Sequence, residues 1–366
     1  MRLRGLFPAL LLLLSTVVVA TPAAATPAGC GDHRAVQHAL DELTGTHGLP
    51  GAAIQITEPG HCRWVGTSGV ADLITGEPMM RRPRFRIASV TKSFTATVVL
   101  QLVAERRVRL DAPVDQYLPG VLPPGNGVTV RELLSHTSGL PDHIDALDWS
   151  NIDSFRYRTV APYELVDLML TLPPPDRPWH YSTTNFVLAG LVVESVTGKD
   201  IETEVTNRII RPLRLRDTYW PGAELGIRGP HPRGYDGQVD YTEFNQSWGG
   251  AGGALVSTMT DLDTFFGALF SGRLLPRAQL AEMRRTVAAD PERLWPGARY
   301  GLGLISSPLS CGGRWWGHGG TVPGYRAVAL VGPDGRQVSM VLNHAPPTDE
   351  ADAAFHHTLE TALCTR

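Results

Sequence analysis

Lysine is almost missing from this chain: of 33 Lys and Arg residues, only Lys92 and Lys199 are lysines. Arginine serves for surface charge and ion pairs, but its guanidinium is never deprotonated in a protein, so a retained lysine marks a position that needs an amine. Lys199, beside Gly198, reads as an ordinary exposed residue; Lys92 does not. Long basic runs are lacking too. The densest is Arg81-Arg82-Pro83-Arg84-Phe85-Arg86, expected to be a solvated edge, and the net charge is −3, which excludes a nucleic-acid-binding face. The four cysteines include no Cys-x-x-Cys, and there is no His-Glu-x-x-His, so no metal is expected. Past the first residues, no apolar run approaches the roughly 20 needed to span a bilayer. A Gly-x-Ser-x-Gly elbow and a phosphate-cradling Gly-rich loop before Lys-Ser/Thr are absent as well. A Ser-His-Asp triad stays open, since its members can lie far apart in sequence.

What is present suits a large core: 366 residues, 43% of them hydrophobic and 19% charged, as in one large or two intimately packed domains. Arg2 and Arg4, the apolar run 7–20 and the small residues of 21–25 read as a secretory leader over 1–25. The mature protein is therefore expected to be extracellular, off the membrane and monomeric. A lipid anchor at Cys30 is the weaker option, because Pro27 stands where an aliphatic residue is wanted. Four cysteines in an exported chain can pair fully, and Cys30 with Cys62 and Cys311 with Cys364 is the expected choice, because each pair staples one end of the chain.

Periodicity predicts a helix capped by Asp32 and running through Val36, Leu40 and Leu43, then strands at 52–57 and 63–67 across a Pro59-Gly60 turn. A helix follows from Ser89, with Phe94, Val98 and Leu102 on one face. Thr129 to Glu132 form a capping box, and further helices are expected at 163–172, 185–197 and 261–270. Strands return at 300–305, 314–317, 325–331 and 338–342, before a helix at 351–363. This predicts an α/β (α+β) fold: an antiparallel sheet built from both ends of the chain, flanked by helices and interrupted by a mainly helical part. The mixed part covers about 26–105 and 250–366, the helical part about 106–249, with a cleft between them. No internal repeat is visible.

Ser89 and Lys92, three apart at a helix start, share one face, so the amine can reach the hydroxyl. Backbone N–H groups and the positive end of the helix lie beside them, and with partial burial they favour a neutral amine that can act as a base.

Four segments in order, 84–94 around Ser89-Val90-Thr91-Lys92, 133–140 around Ser135-His136-Thr137-Ser138, 181–186 beginning at Tyr181, and 316–321 around His318, resemble the serine penicillin-recognising enzymes. That family includes class C β-lactamases, low-molecular-mass penicillin-binding proteins and related esterases. The likeness extends to 261–266 and to Cys311 and Cys364, and is strongest to its secreted streptomycete D-alanyl-D-alanine carboxypeptidases. The resemblance implies a β-lactamase/transpeptidase-like fold, a covalent Ser89 acyl-enzyme and no cofactor. It makes Tyr181 the base or the relay that hands the proton on, His318 a support of that proton network, and the Ser89 and Thr321 amides the oxyanion hole. It places Thr183, Trp248, Gly319 and Gly320 at the substrate, with His136 structural.

Three departures bear on the substrate. The family's Tyr-x-Asn ends in Thr183, its His-Thr-Gly has become His318-Gly319-Gly320, and Ile305 stands where an arginine for a terminal carboxylate is expected. Arg326 is the candidate to replace that charge. The resemblance thus implies a D-alanyl-D-alanine carboxypeptidase acting on a small peptide, ester or β-lactam. An esterase, a D-amino-acid amidase, a weak β-lactamase and a non-catalytic sensing module remain as alternatives.

Overall fold

The computed structural model describes residues 30–60 and 62–365; the leader predicted at 1–25 lies outside them. Eight strands form one antiparallel sheet. In chain order they are β1 (Gly51–Thr57), β2 (Arg63–Gly69), β3 (Val287–Ala288), β4 (Arg299–Tyr300), β5 (Ile305–Pro308), β6 (Arg314–Val322), β7 (Tyr325–Val331) and β8 (Gln337–Leu342). Their spatial order is β2-β1-β8-β7-β6-β5-β4-β3, so the N-terminal hairpin closes onto the last strand. β1 is buried along its whole length, which is why it reads as an unbroken apolar run rather than an alternation.

Each sheet face carries its own core. On one face lie α1 (Arg34–Gly45) and the C-terminal helix, packed on Ile54, Val338, Met340 and Leu342. The other face carries the larger core and the remaining helices named here, α2 (Thr91–Ala104), α3 (Val130–Ser135), α4 (Pro162–Leu170), α5 (Thr183–Thr197) and α6 (Met259–Phe270), before the C-terminal helix α7 (Asp349–Cys364). The helical region lies between β2 and β3 in sequence. Asp263 of α6 locks the layers together: its carboxylate accepts from Gln55 Nε2, Thr57 Oγ1 and Ser339 Oγ, each at 2.6 Å. Three donors satisfy a carboxylate that burial would otherwise leave costly.

Several expectations change. Helix α1 starts one residue later than a cap at Asp32 requires; His33 is the N-cap, and Asp32 instead accepts from the Arg34 amide at 3.0 Å. The span 300–305 is not one strand but a tight turn between β4 and β5, closed by Gly301 N–H donating to Leu304 O at 2.8 Å. Helix α2 is buried on every side from Thr91 to Leu100, not along a single face. Its hydroxyls make this possible: Ser93 donates to Gly303 O, Thr95 to Ala251 O and Thr97 back to Ser93 O, all at 2.7 Å.

The arginine-rich run is a solvated edge only at Arg81 and Arg82, which are exposed. Arg86 is 1% exposed and donates to the carbonyls of Leu225, Thr242 and Phe244, while Arg84 pairs with Asp217. The capping box at Thr129 and Glu132 is present. Both disulfides, Cys30–Cys62 and Cys311–Cys364, are formed, which removes Cys30 as a lipid-bearing thiol. Among the described residues no helix is long and apolar enough to cross a membrane.

Candidate active site

Ser89 sits in a short turn of 3₁₀ helix, Ala88–Val90, directly ahead of α2. Ala88 adopts φ 46°, the left-handed region that a residue with a Cβ rarely enters, so the nucleophile follows a locally strained bend. One turn on, Lys92 Nζ lies 3.1 Å from Ser89 Oγ. The amine also donates to Gly252 O at 2.9 Å and stands 3.5 Å from Thr183 Oγ1 at the start of α5. Lys92 is wholly buried, and burial, opposed by Asp142 and reinforced by Arg293, brings its pKa down from 10.5 to about 7. A substantial neutral fraction is therefore present near neutral pH.

Tyr181 precedes α5 and closes the other side of Ser89. Lys92 Nζ is 4.9 Å from its ring centre, the His136 ring 4.2 Å, and the Arg293 guanidinium 5.5 Å. Burial pushes its phenol above the ordinary range even though a hydrogen bond with Ser89 pulls it down. Tyr181 is thus a proton-carrying phenol at neutral pH, which suits the relay rather than the base of the two roles set out for it.

His318 on β6 faces the same cavity but binds away from the serine. Its Nδ1–H donates to Gly319 O at 2.5 Å, which leaves Nε2 as the acceptor for the Tyr300 hydroxyl at 2.8 Å. Burial, with the Lys92 charge second, lowers its pKa to about 3, so the imidazole is neutral throughout the working range. Tyr300 went unnoticed in the sequence, where it is simply the first residue of an expected strand. Gly252, whose carbonyl holds the lysine, and Arg293, on an exposed turn, were missed as well; a backbone acceptor leaves no signature in side-chain chemistry.

The oxyanion region is built by close approach of backbone. A Cβ on Gly320 would stand 2.4 Å from Ile87 O and 2.6 Å from Ser89 N, so only glycine lets β6 rest against the nucleophile turn. Gly320 thus rests against the Ser89 turn, one residue before Thr321, the residue expected to supply the second amide of an oxyanion hole. Gly319, by contrast, has only Ala327 O nearby, at 3.7 Å. Both glycines and Thr321 line a cavity of about 690 Å³ that also contains Ser89, Tyr181 and His318.

Other expected residues fall elsewhere. Trp248 is not a wall of this cavity: its indole donates to Phe155 O at 2.9 Å, and its ring packs on Phe155 in the core. Arg326 does line the cavity, yet it is held by Thr321 Oγ1 at 2.8 Å, with Asp352 at 3.8 Å, so its charge is already compensated. Ile305 is part of the wall and only 2% exposed. His136 is fully buried, with Nδ1 accepting from Ser182 N–H at 3.2 Å, a position beneath the tyrosines rather than at the substrate.

A serine with a buried, depressed lysine on one side and a protonated phenol on the other, beside a strand edge, defines an acyl-transfer serine hydrolase of the β-lactamase/transpeptidase fold. The Beta-lactamase family profile matches residues 36–363, and the chain belongs to that family. It is 27% identical over 354 residues to Penicillin-binding protein 4* of Bacillus subtilis (strain 168), covering 90% of this chain and 75% of the relative; it spans about half the length of other curated relatives. A D-stereospecific amidohydrolase from Streptomyces sp. superposes with a TM-score of 0.83 at 38% identity, over 92% of this chain and all of the other. The D-amino acid amidase from Ochrobactrum anthropi SV3, complexed with L-phenylalanine amide, gives 0.77 at 30% identity, over 90% and 97%.

Proposed function

We propose that this protein is a D-stereospecific amidohydrolase that cleaves amides and esters of D-amino acids, and that it works outside the cell. One observation carries the choice over a carboxypeptidase. A free terminal carboxylate needs a cation held for it, yet Ile305 stands where the resemblance expects an arginine, and Arg326 donates to Thr321 Oγ1 at 2.8 Å with Asp352 3.8 Å away. The other cavity arginine, Arg293, lies on an exposed turn with its guanidinium 5.5 Å from the Tyr181 ring. A carboxylate left unpaired in a cavity is costly, so a substrate without one beside the scissile bond is favoured. The likeness to the Streptomyces D-stereospecific amidohydrolase supports the same reading. Export is supported by the leader-like sequence at 1–25 and by the two disulfides.

In the reaction, neutral Lys92 takes the Ser89 hydroxyl proton as Oγ attacks the carbonyl carbon, and the Ser89 and Thr321 amides hold the resulting oxyanion. Tyr181 gives its proton to the departing nitrogen or oxygen, and the Lys92 ammonium restores the phenol. Water then attacks the Ser89 ester; its proton passes to the same base, and Ser89 leaves as a hydroxyl. The test compares D- and L-phenylalanine amide with a D-alanyl-D-alanine peptide, in the parent and in Ser89→Ala. Preference for the D-amide, lost in the variant, is expected. Faster cleavage of the peptide, or equal use of both enantiomers, would overturn the proposal.

A further inference from the structure

The cavity does not end at the reacting serine. From Ser89 it continues between α7 and the turn carrying Leu294 and Trp295, over a sheet face formed by Trp315, Val328 and Leu330. Asp352, Phe355, Leu359 and Leu363 of α7 all line it. From the first of these to the last, the helix advances about 16 Å at 1.5 Å per residue. No single amino-acid side chain reaches that far.

The sheet floor of the trough is apolar and its α7 wall is mixed. Arg326 is bonded to Thr321, and His356 lies 3.4 Å from Asp352. Beyond His356 the helix lines the trough with Leu359, with Glu360, whose carboxylate is engaged by the Ser310 amide at 2.8 Å, and with Leu363. The floor cannot receive a peptide backbone. At Trp315 and Trp316, β6 is paired with β5, and β7 lies between β6 and β8, so these strands have no open edge there. The walls are braced as well: Trp295 Nε1 donates to Ser307 Oγ at 2.9 Å, and the Cys311–Cys364 disulfide ties the end of α7 to the loop before β6. A braced apolar site binds with little ordering cost.

We propose that this trough holds an elongated alkyl chain, carried on either side of the amide or ester bond that meets Ser89. The proposal rests on the acyl-transfer reading above but not on its stereochemistry. It is tested with two series of substrates, p-nitrophenyl esters with acyl chains of two to ten carbons and N-alkylamides of D-alanine with the same chain lengths. Because each buried methylene adds a favourable increment, kcat/KM is expected to rise about tenfold or more from two to eight carbons in at least one series. Leu359→Trp, which fills the trough, is expected to lower the eight-to-two-carbon ratio at least about fivefold and to move the optimum to shorter chains; Leu359→Ala is expected to leave the optimum unchanged or lengthen it. The ratio is internal to each preparation, so partial misfolding does not mimic the effect. Flat profiles in both series, or an optimum unmoved by Leu359→Trp, would sink the proposal. Chain-length dependence with equal cleavage of matched N-alkylamides of L-alanine would remove the stereochemical reading and keep the trough; a preference for the D-alanine series with flat chain-length profiles would do the reverse.

Discussion

The Tyr300 hydroxyl and His318 Nε2 are joined at 2.8 Å in a fully buried pair. With Nδ1–H committed to Gly319 O, the imidazole presents no proton to Ser89 or Tyr181. Tyr300→Phe therefore strands a buried acceptor, which costs about 1–3 kcal/mol locally. A fall of about 10-fold in kcat is expected, with no displacement of the pH profile. Steady-state kinetics across pH checks this; a profile that moves with the substitution would show His318 titrating in the working range.

Lys92, the proposed base, is expected to set the acid limb. With its pKa brought from 10.5 to about 7, kcat/KM is expected to rise through about pH 7 and level above it. The same shift acts on stability. The unfolded chain binds a proton that the folded chain has released between pH 7 and 10.5, so stability rises with pH across that window, and the penalty of the buried ammonium is fully present below it. Lys92→Met is expected to abolish turnover and raise the unfolding midpoint, most clearly below pH 7. Kinetics and thermal melts at pH 6 and 9 measure both.

Tyr181 is assigned as the acid toward the leaving group, not as the base. Tyr181→Phe is expected to slow an amide by about 10²–10⁴-fold but to slow a p-nitrophenyl ester far less, because nitrophenolate leaves without a proton. Equal losses on the two substrates would return the tyrosine to the role of base.

Gly319 and Gly320 are adjacent and read alike, yet their surroundings differ. Gly320→Ala drives a methyl into Ile87 O and Ser89 N, and a loss of about 100-fold or more in kcat is expected from a displaced oxyanion hole. Gly319→Ala meets only Ala327 O, at 3.7 Å, and is expected to retain activity within about threefold, the range of an ordinary surface substitution. Kinetics on folded variants, verified by circular dichroism, separates the two.

The sequence by itself determined the elements with local causes. The Thr129–Glu132 capping box, the strand at Tyr325–Val331 and the spacing that puts Lys92 over Ser89 all follow from interactions within a few residues. The scarcity of lysine singled out the amine before any geometry was known. Tertiary structure alone decided what depends on distant partners. Arg86 is indistinguishable from its exposed neighbours Arg81 and Arg82 until three carbonyls from 225–244 surround it. Trp248 faces the core and not the cleft because Phe155 supplies its acceptor, and Tyr300 becomes a site residue only when β4 and β6 come within reach through β5. Even the pKa that makes Lys92 a base is a product of burial, and burial belongs to the assembled fold rather than to any one segment of the chain.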